Sequence, residues 1–234
     1  PGGGGMNHRP VVHVAGSRRT TWRLPAPASF VLLTTLIAVF PAASTAVTPL
    51  YPVYATEWAL SPLTTTVVFS VYVVGALLTL LTAGSLSDHV GRRPLLFAAL
   101  LLEGVVMVLL LTASGPVALI AGRFLQGVAT GAAAGAVGAA LVDLDPARGA
   151  TVNSVGPAAG TAVGPLAGGA IAQLLPDPTQ LVYVVLLLIL AIQAALLLLT
   201  VETARRRSGA LASLRPTVAL PPGPGDPSLC RCRP

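Results

Sequence analysis

The stretch Gly84-Ser85-Leu86-Ser87-Asp88-His89-Val90-Gly91-Arg92-Arg93 is a polar island between two long apolar runs. A single charge at the centre of a bilayer costs about 2.5–3.5 kcal/mol even on insertion scales, so a cluster of charges is expected to lie outside the membrane. The island therefore predicts a tight water-facing loop between two membrane helices. Gly84 and Gly91 would permit the turn, and Asp88 would cap the next helix or pair with Arg92 or Arg93.

The composition indicates an integral membrane protein. The 234-residue chain is 54% hydrophobic and only 9% charged, with a mean hydropathy of +0.80, whereas about a quarter of the residues in soluble domains are charged. All fourteen basic residues are Arg, and all of them except Arg123 lie in loops or near the chain ends. Because they form no basic helix face and have no aromatic stacking pattern beside them, we expect no nucleic-acid partner.

Six apolar segments are each long enough for a helix to cross a hydrocarbon core of about 30 Å. They are too long and too continuously apolar to be barrel strands. We therefore predict an all-α integral membrane fold, a six-transmembrane-helix bundle embedded in a lipid bilayer. The predicted helices lie near residues 28–50, 62–83, 94–114, 117–141, 151–175 and 180–201.

Two polar segments flank this bundle, which we assign to residues 25–207. Residues 1–24 are Gly-rich and contain four Arg, and we predict a disordered basic cytoplasmic arm that starts at either Pro1 or Met6. Residues 208–234 are rich in Pro, Gly and Arg and have no helical periodicity, so we predict a disordered tail, translated out of frame.

The arginines also predict the orientation in the membrane. They lie in the amino-terminal arm, in the second and fourth loops, and after the sixth segment, whereas the first, third and fifth loops contain none. Under the positive-inside rule, both termini and the even-numbered loops face the cytoplasm. We expect a multi-pass protein of the plasma membrane, that is, of the cell inner membrane.

Two ionisable residues lie inside predicted membrane segments. Glu103 is near the middle of the third segment, where a carboxyl group suggests a proton carrier or cation contact, although a protonated Glu facing a neighbouring helix is affordable. Arg123 is near the start of the fourth. It either faces a cavity or a partner carboxylate, or it snorkels to the outer interface.

Prolines and glycines shape several segments. The first contains Pro41 and ends in Pro49-Leu50-Tyr51-Pro52-Val53-Tyr54, which indicates either a bent helix beside a cavity or a helix end with an aromatic residue at the interface. In the fourth, Gly127, Gly131 and Gly135 recur every four residues, and we expect them to serve helix packing. In the fifth, a smooth face is predicted from Gly156, Pro157, Gly160, Gly164, Pro165, Gly168 and Gly169.

Three of these patterns resemble motifs of the major facilitator superfamily of secondary transporters. Gly-x-x-x-Asp-x-x-Gly-Arg-Arg is similar to the loop between its second and third helices, except that His89 replaces the usual Arg or Lys after the Asp. Arg123-x-x-x-Gly127 is similar to a motif in its fourth helix. Gly160-x-x-x-Gly164-Pro165-x-x-Gly168-Gly169 resembles the fifth-helix motif of its drug/proton antiporters.

The resemblance implies roles for these residues. Gly84, Asp88, Gly91, Arg92 and Arg93 would gate the transport cycle through contacts with the other half of the protein. Arg123 would take part in proton coupling, to which we add Glu103, although no family motif covers it. The fifth-helix glycines would permit rocking of the two halves while limiting leak, as substrate and protons bind alternately.

Superfamily members have two six-helix halves, and the resemblance here covers only the first. We expect a truncated, proton-coupled exporter of small amphipathic or drug-like compounds that works with a missing carboxy-terminal half. The alternatives are a half-size transporter that pairs with a second copy as a homodimer, a sugar or metabolite importer, and a non-transporting membrane fragment. No enzyme signature occurs in the sequence, and we expect neither a cofactor nor a metal site.

Overall fold

The computed structural model describes residues 25–199, except that the side chains of residues 83–90 and 178 are not described. The predicted arm 1–24 and tail 208–234 lie outside these residues. Residues 25–199 contain seven α-helices, one 3₁₀ turn and no strand. The α-helices are α1 (Ala26–Ala46), α2 (Tyr51–Glu57), α3 (Pro62–Val90), α4 (Arg92–Leu111), α5 (Pro116–Leu144), α6 (Pro146–Leu174) and α7 (Pro178–Leu198), and the 3₁₀ turn is Thr48–Leu50.

Within the described residues, these elements make six spans long and apolar enough to cross a membrane. The first span joins α1, the 3₁₀ turn and α2 into Ala26–Glu57, and each of the other five comes from one helix. The predicted all-α fold with six membrane helices is therefore confirmed. We call the end of the bundle where α3 meets α4 the Gly91 end, and the opposite end the Glu57 end.

The ten-residue loop predicted over residues 84–93 is wrong. Helix α3 continues to Val90, and Gly91 alone separates it from α4. The charge argument excludes this stretch from the hydrocarbon, but it does not exclude a helix that continues into water, and no proline interrupts residues 84–90. Gly91 makes the turn with φ at 102°, a left-handed value that glycine adopts without strain.

Two further boundaries differ from the predicted ones. The first span continues to Glu57 instead of ending near residue 50, because the 3₁₀ turn lets the helical path resume after Pro49. Helix α6 begins at Pro146, so Arg148 belongs to its first turn and not to a loop. Asp145 caps this helix, since its side chain accepts a hydrogen bond from the Arg148 backbone N–H at 3.0 Å.

Helix α5 is the centre of the bundle. It packs against α3 and α4 and also contacts α1 and α6, while α7 packs on α4 and α6 packs on α1. A Cβ at Gly127 or Gly131 would collide with the backbone of α3 at Tyr72 or Ala76. These two glycines therefore serve the close helix packing that their spacing predicts.

The contact between α6 and α1 is as close. A Cβ added at Gly160, Gly164 or Gly168 would collide with a backbone carbonyl group of α1. The carbonyl groups are those of Ala38, Ala42 and Ala46, which also recur every four residues. The glycine face of α6 thus packs directly onto an alanine face of α1, with backbone against backbone.

This packing predicts that Gly160→Ala destabilises the protein although alanine favours helices by about 1 kcal/mol over glycine. The added methyl group meets the rigid Ala38 backbone, and overpacking of this kind costs about 1–3 kcal/mol. The measurement is the thermal unfolding midpoint in detergent.

The matched control is Gly169→Ala on the same helix. The nearest atom to its added Cβ outside the helix is Pro49 Cγ at 3.9 Å, an ordinary contact. We expect this variant to be neutral or slightly stabilised. Equal shifts of the two variants would contradict the proposed backbone contact.

Candidate functional site

Arg123 lies buried inside the bundle. Its side chain is 2% exposed, and its Nη1 donates to the Ser44 backbone carbonyl and to Gln126 Oε1, both at 2.8 Å. Its Cζ lies 5.3 Å from the centroid of the Tyr51 ring, which is within cation–π range. The interpretation that Arg123 snorkels to the interface is therefore wrong, since α1, α2 and α5 enclose its guanidinium group.

Gln126 connects Arg123 to Glu103. Its Nε2 donates to Glu103 Oε1 at 2.9 Å, and both side chains are fully buried. Arg123 and Gln126 lie three residues apart on α5, so they share one helix face. The amide accepts from a cation on its own helix and donates to a carboxyl group on α4. We call Arg123, Gln126 and Glu103 the polar chain.

The polar chain retains unused hydrogen-bonding capacity. Nε and Nη2 of Arg123 and Oε2 of Glu103 are buried and have no hydrogen-bond partner among the residues that the structure describes. Leaving such groups unsatisfied costs about 1–3 kcal/mol each. Two donors of Arg123 on α5 and one acceptor of Glu103 on α4 are therefore unused. If the three side chains moved, these groups could form hydrogen bonds with one another.

Aromatic side chains continue from Arg123 to the Glu57 end. Tyr51 contacts Tyr54 edge-on at a centroid distance of 6.5 Å, and Tyr54 stacks on Trp58 at 4.6 Å. The Tyr54 and Tyr183 hydroxyl groups are hydrogen-bonded at 2.9 Å and join α2 to α7. Tyr51 and Tyr54 are only 6% and 5% exposed, so they pack within the bundle and are not interfacial belt residues.

The predicted gating residues meet other helices at the Gly91 end. Arg92 forms an ion pair with Asp143 and donates to the Ala139 backbone carbonyl at 2.6 Å, which ties α4 to the last turns of α5. Arg93 Nε donates to the Leu197 carbonyl at 3.2 Å, and its Nη2 donates to the Leu198 carbonyl. The side chain of Asp88 and the surroundings of Gly84 lie outside the described side chains.

The predicted fifth-helix motif lies apart from the polar chain. Its buried members Gly160, Gly164 and Gly168 face α1, and a Cβ at Gly156 would meet the Ile37 side chain. Pro157 and Pro165 are within α6, and Gly169 is partly exposed. Helix α1 contacts both sites, since it presents Ser44 to Arg123 and its alanine face to α6.

A sequence profile described as Major Facilitator Superfamily matches residues 33–223, more than half of the chain. The chain belongs to the major facilitator superfamily. This result confirms the family resemblance, while the antiporter branch stays a prediction. No curated protein matches the sequence.

A solved transporter structure is similar to this chain. It is the human organic anion transporter MFSD10 (TETRAN), with a TM-score of 0.62 and 20% sequence identity. The match covers 77% of this chain and 49% of that one, so the chain spans about half the length of the transporter. At this identity the likeness shows the fold alone.

The sequence did not predict several residues of this site. They are Gln126, Ser44, Tyr51 in its contact with Arg123, Tyr183 and Asp143. Gln126 had a usable signal, since a buried amide three residues from an intramembrane Arg lies on the same helix face. Asp143 also had a usable signal. It directly follows the predicted fourth helix, and Arg92 directly precedes the predicted third helix, so both lie at the same end of the bundle. Ser44 had none, since it contributes mainly a backbone carbonyl.

The polar chain predicts that Gln126→Met lowers the stability of the protein. Methionine keeps the volume but removes both hydrogen bonds, so Arg123 Nη1 loses one acceptor and Glu103 Oε1 loses its donor. Each buried group left unpaired costs about 1–3 kcal/mol. A lower thermal midpoint in detergent is expected, together with an intact helical circular dichroism spectrum.

Gln180→Met is the matched control. Gln180 is exposed in the first turn of α7, and its side chain can be solvated without a protein partner. We expect its thermal midpoint to match that of the unmodified chain. If both variants lose the same stability, the two hydrogen bonds of Gln126 in the polar chain do not stabilise the protein.

Proposed function

We propose that this chain forms the amino-terminal six-helix half of a proton-coupled exporter of small amphipathic or drug-like compounds. The observation that carries the proposal is the buried polar chain of Arg123, Gln126 and Glu103. Ionisable residues inside membrane spans are expensive, so they are retained where they serve ion or substrate movement. A purely structural core would bury apolar residues at these positions at lower cost.

The geometry suggests how a proton would change the bundle. A protonated Glu103 is neutral and needs only the hydrogen bond from Gln126. After the proton leaves, the carboxylate attracts the Arg123 guanidinium, which has two unused donors among its described contacts. Direct pairing would displace Gln126 from between them. The relative position of α4 and α5 would then depend on the proton, which is the requirement for coupling.

The exposed faces of two helices suggest that a second six-helix bundle packs against this one. Helices α3 and α6 are the least buried spans of the described residues, and their outward faces are apolar, as at Leu77, Leu81, Val163 and Leu166. Superfamily transporters place substrate between two such bodies near the bilayer midplane. We propose that a carboxy-terminal half or a second copy of the chain covers these faces. We also propose that the protein lies in the plasma membrane with its Gly91 end in the cytoplasm.

The test is transport by the full chain reconstituted in liposomes at a density that lets two copies pair, with the amphipathic dye ethidium as probe. A pH gradient should drive ethidium movement in the unmodified protein. Glu103→Gln should abolish the response to the gradient while ethidium exchange without a gradient stays within about twofold, because only the proton step is lost. Arg123→Lys should lower both about tenfold, because lysine lacks the planar fork of donors.

Arg148→Ala is the matched control, since it removes an exposed arginine in a solvated ion pair with Asp145 at 3.7 Å. We expect it to transport normally. Ethidium movement that ignores the gradient in the unmodified chain would exclude proton coupling. Movement of a sugar without movement of ethidium would favour the sugar or metabolite importer. No movement of ethidium or sugars would favour the non-transporting fragment.

We also propose that the Arg92–Asp143 pair holds the Gly91 end closed during part of the transport cycle. The pair joins the first turn of α4 to the last turn of α5. The Arg92 side chain is 12% exposed and the Asp143 side chain 42%, so water screens the pair mainly from the Asp143 side. Gly91 is the junction on which α3 and α4 would move. The gating role predicted for Asp88 and Gly84 stays part of this proposal.

A double-mutant cycle tests the gate. Arg92→Ala and Asp143→Ala should each slow gradient-driven ethidium transport about fivefold, the effect of about 1 kcal/mol. The double variant should be no slower than either single variant, since both remove the same interaction. Arg148→Ala, which breaks the exposed pair at the same end and leaves the Asp145 cap of α6 intact, should have no effect. Additive losses would show that the two residues act separately.

A further inference from the structure

We infer that the seam between α4 and α7 binds one anionic phospholipid, with an acyl chain in an apolar groove and the phosphate beside Arg93. This inference does not depend on the proposed transport function. It rests on the shape of the groove, on the order of residues along α4, and on the place of the arginine at the Gly91 end.

The groove is an indentation of about 410 Å³ between the two helices, within the range of about 300–1,000 Å³ typical of small-molecule pockets. Gly104 forms part of its floor, and a Cβ added there would meet no atom within 4 Å. Glycine thus creates free space here instead of a close helix contact. All lining residues are apolar or glycine: Leu100, Leu101, Gly104, Val105, Val108, Leu187, Leu190, Ala191 and Ala194.

Arg93 belongs to the same face of α4 as the groove. Arg93, Phe97, Leu101, Gly104 and Val108 follow one another at intervals of four, four, three and four residues, the spacing of a single helix face. At 1.5 Å per residue, Leu101 lies about 12 Å and Val108 about 22 Å along the axis from Arg93. One leaflet contains about 15 Å of hydrocarbon. With the arginine at headgroup depth, Leu101 lies at the acyl-chain depth of the same leaflet, and Val108 lies near the bilayer midplane.

The contacts of Arg93 fix its charge at the mouth of this seam. Its guanidinium group donates to the carbonyl groups of Leu197 and Leu198, one turn beyond the groove residue Ala194. It therefore bridges the two helices that form the groove walls. Basic groups between transmembrane helices at this depth attract anionic headgroups. An apolar groove below a positive charge matches a phospholipid with a negative headgroup.

A second copy of the chain is a weaker candidate for the groove. Copies would bring two Arg93 charges of the same sign to the seam, and helix association in lipid has no hydrophobic driving force to offset this. A lipid chain, in contrast, is always present beside an exposed membrane helix. The lining residues Leu101, Val105 and Val108 are 53%, 60% and 49% exposed, so nothing in the described chain covers them.

Native mass spectrometry of the purified full chain tests the site, with palmitoyl-oleoyl phosphatidylglycerol as the anionic probe and the phosphatidylcholine of the same chains as the neutral one. One phosphatidylglycerol molecule should be retained per chain at activation energies that remove phosphatidylcholine. Arg93→Ala should reduce this preference about fivefold, because one positive charge at headgroup depth is lost. Arg148→Ala, which removes a charge at the same end but away from the seam, should retain it.

Gly104→Leu tests the groove itself. The leucine side chain would occupy the open space, and lipid retention should fall about tenfold through loss of apolar contact. Gly104→Ala is the control that adds only one methyl group, and it should change lipid retention little. If Gly104→Leu does not fold, as judged by size-exclusion elution and circular dichroism, Ala191→Leu fills the groove from its α7 wall.

Three results would overturn the inference. The first is equal retention of the anionic and the neutral lipid, which would indicate ordinary annular lipid. The second is unchanged retention in Gly104→Leu and Ala191→Leu. The third is a dimer of chains that dissociates in Gly104→Leu, which would assign the groove to a second copy. None of these measurements requires transport, so failure of the proposed function would leave the lipid site intact.

Discussion

The arrangement of this bundle depends on one constraint. The guanidinium group of Arg123 is buried away from water, so it needs polar partners within the protein. A charged side chain in the middle of a membrane span is affordable only with local polar partners. The structure provides them from three directions, with a carbonyl from α1, an amide from α5 and an aromatic ring from α2. Each partner helix is thereby fixed relative to α5.

This requirement explains why the first span is not a single straight helix. Tyr51 lies over Arg123 only because the chain passes through the 3₁₀ turn and resumes as α2. Tyr54 follows on the same short helix and bonds to Tyr183 of α7. The irregular end of the first span thus links the buried charge to the last described helix.

Much of the architecture follows from the sequence, because long apolar runs and the cost of charges in hydrocarbon predict the number and order of spans. The same cost failed to predict secondary structure at residues 84–90, since water accepts a helix as readily as a loop. The sequence also did not locate Tyr51 and Tyr54, because their amphipathic rings suit both an interface and a core. The partners of Arg123 needed coordinates, because a backbone carbonyl such as that of Ser44 has no mark in the sequence.

The backbone contact between α6 and α1 also has a consequence for biosynthesis. The glycine face of α6 is translated about 120 residues after the alanine face that it covers, which corresponds to several seconds at about 5–20 residues per second. Helix α1 must remain in the bilayer without its α6 partner during that interval, as its more apolar composition allows. Helix α6 is the least apolar of the six described spans. Its retention in the membrane therefore depends on finding an earlier helix already in place, so the order of insertion is part of how this fold is reached.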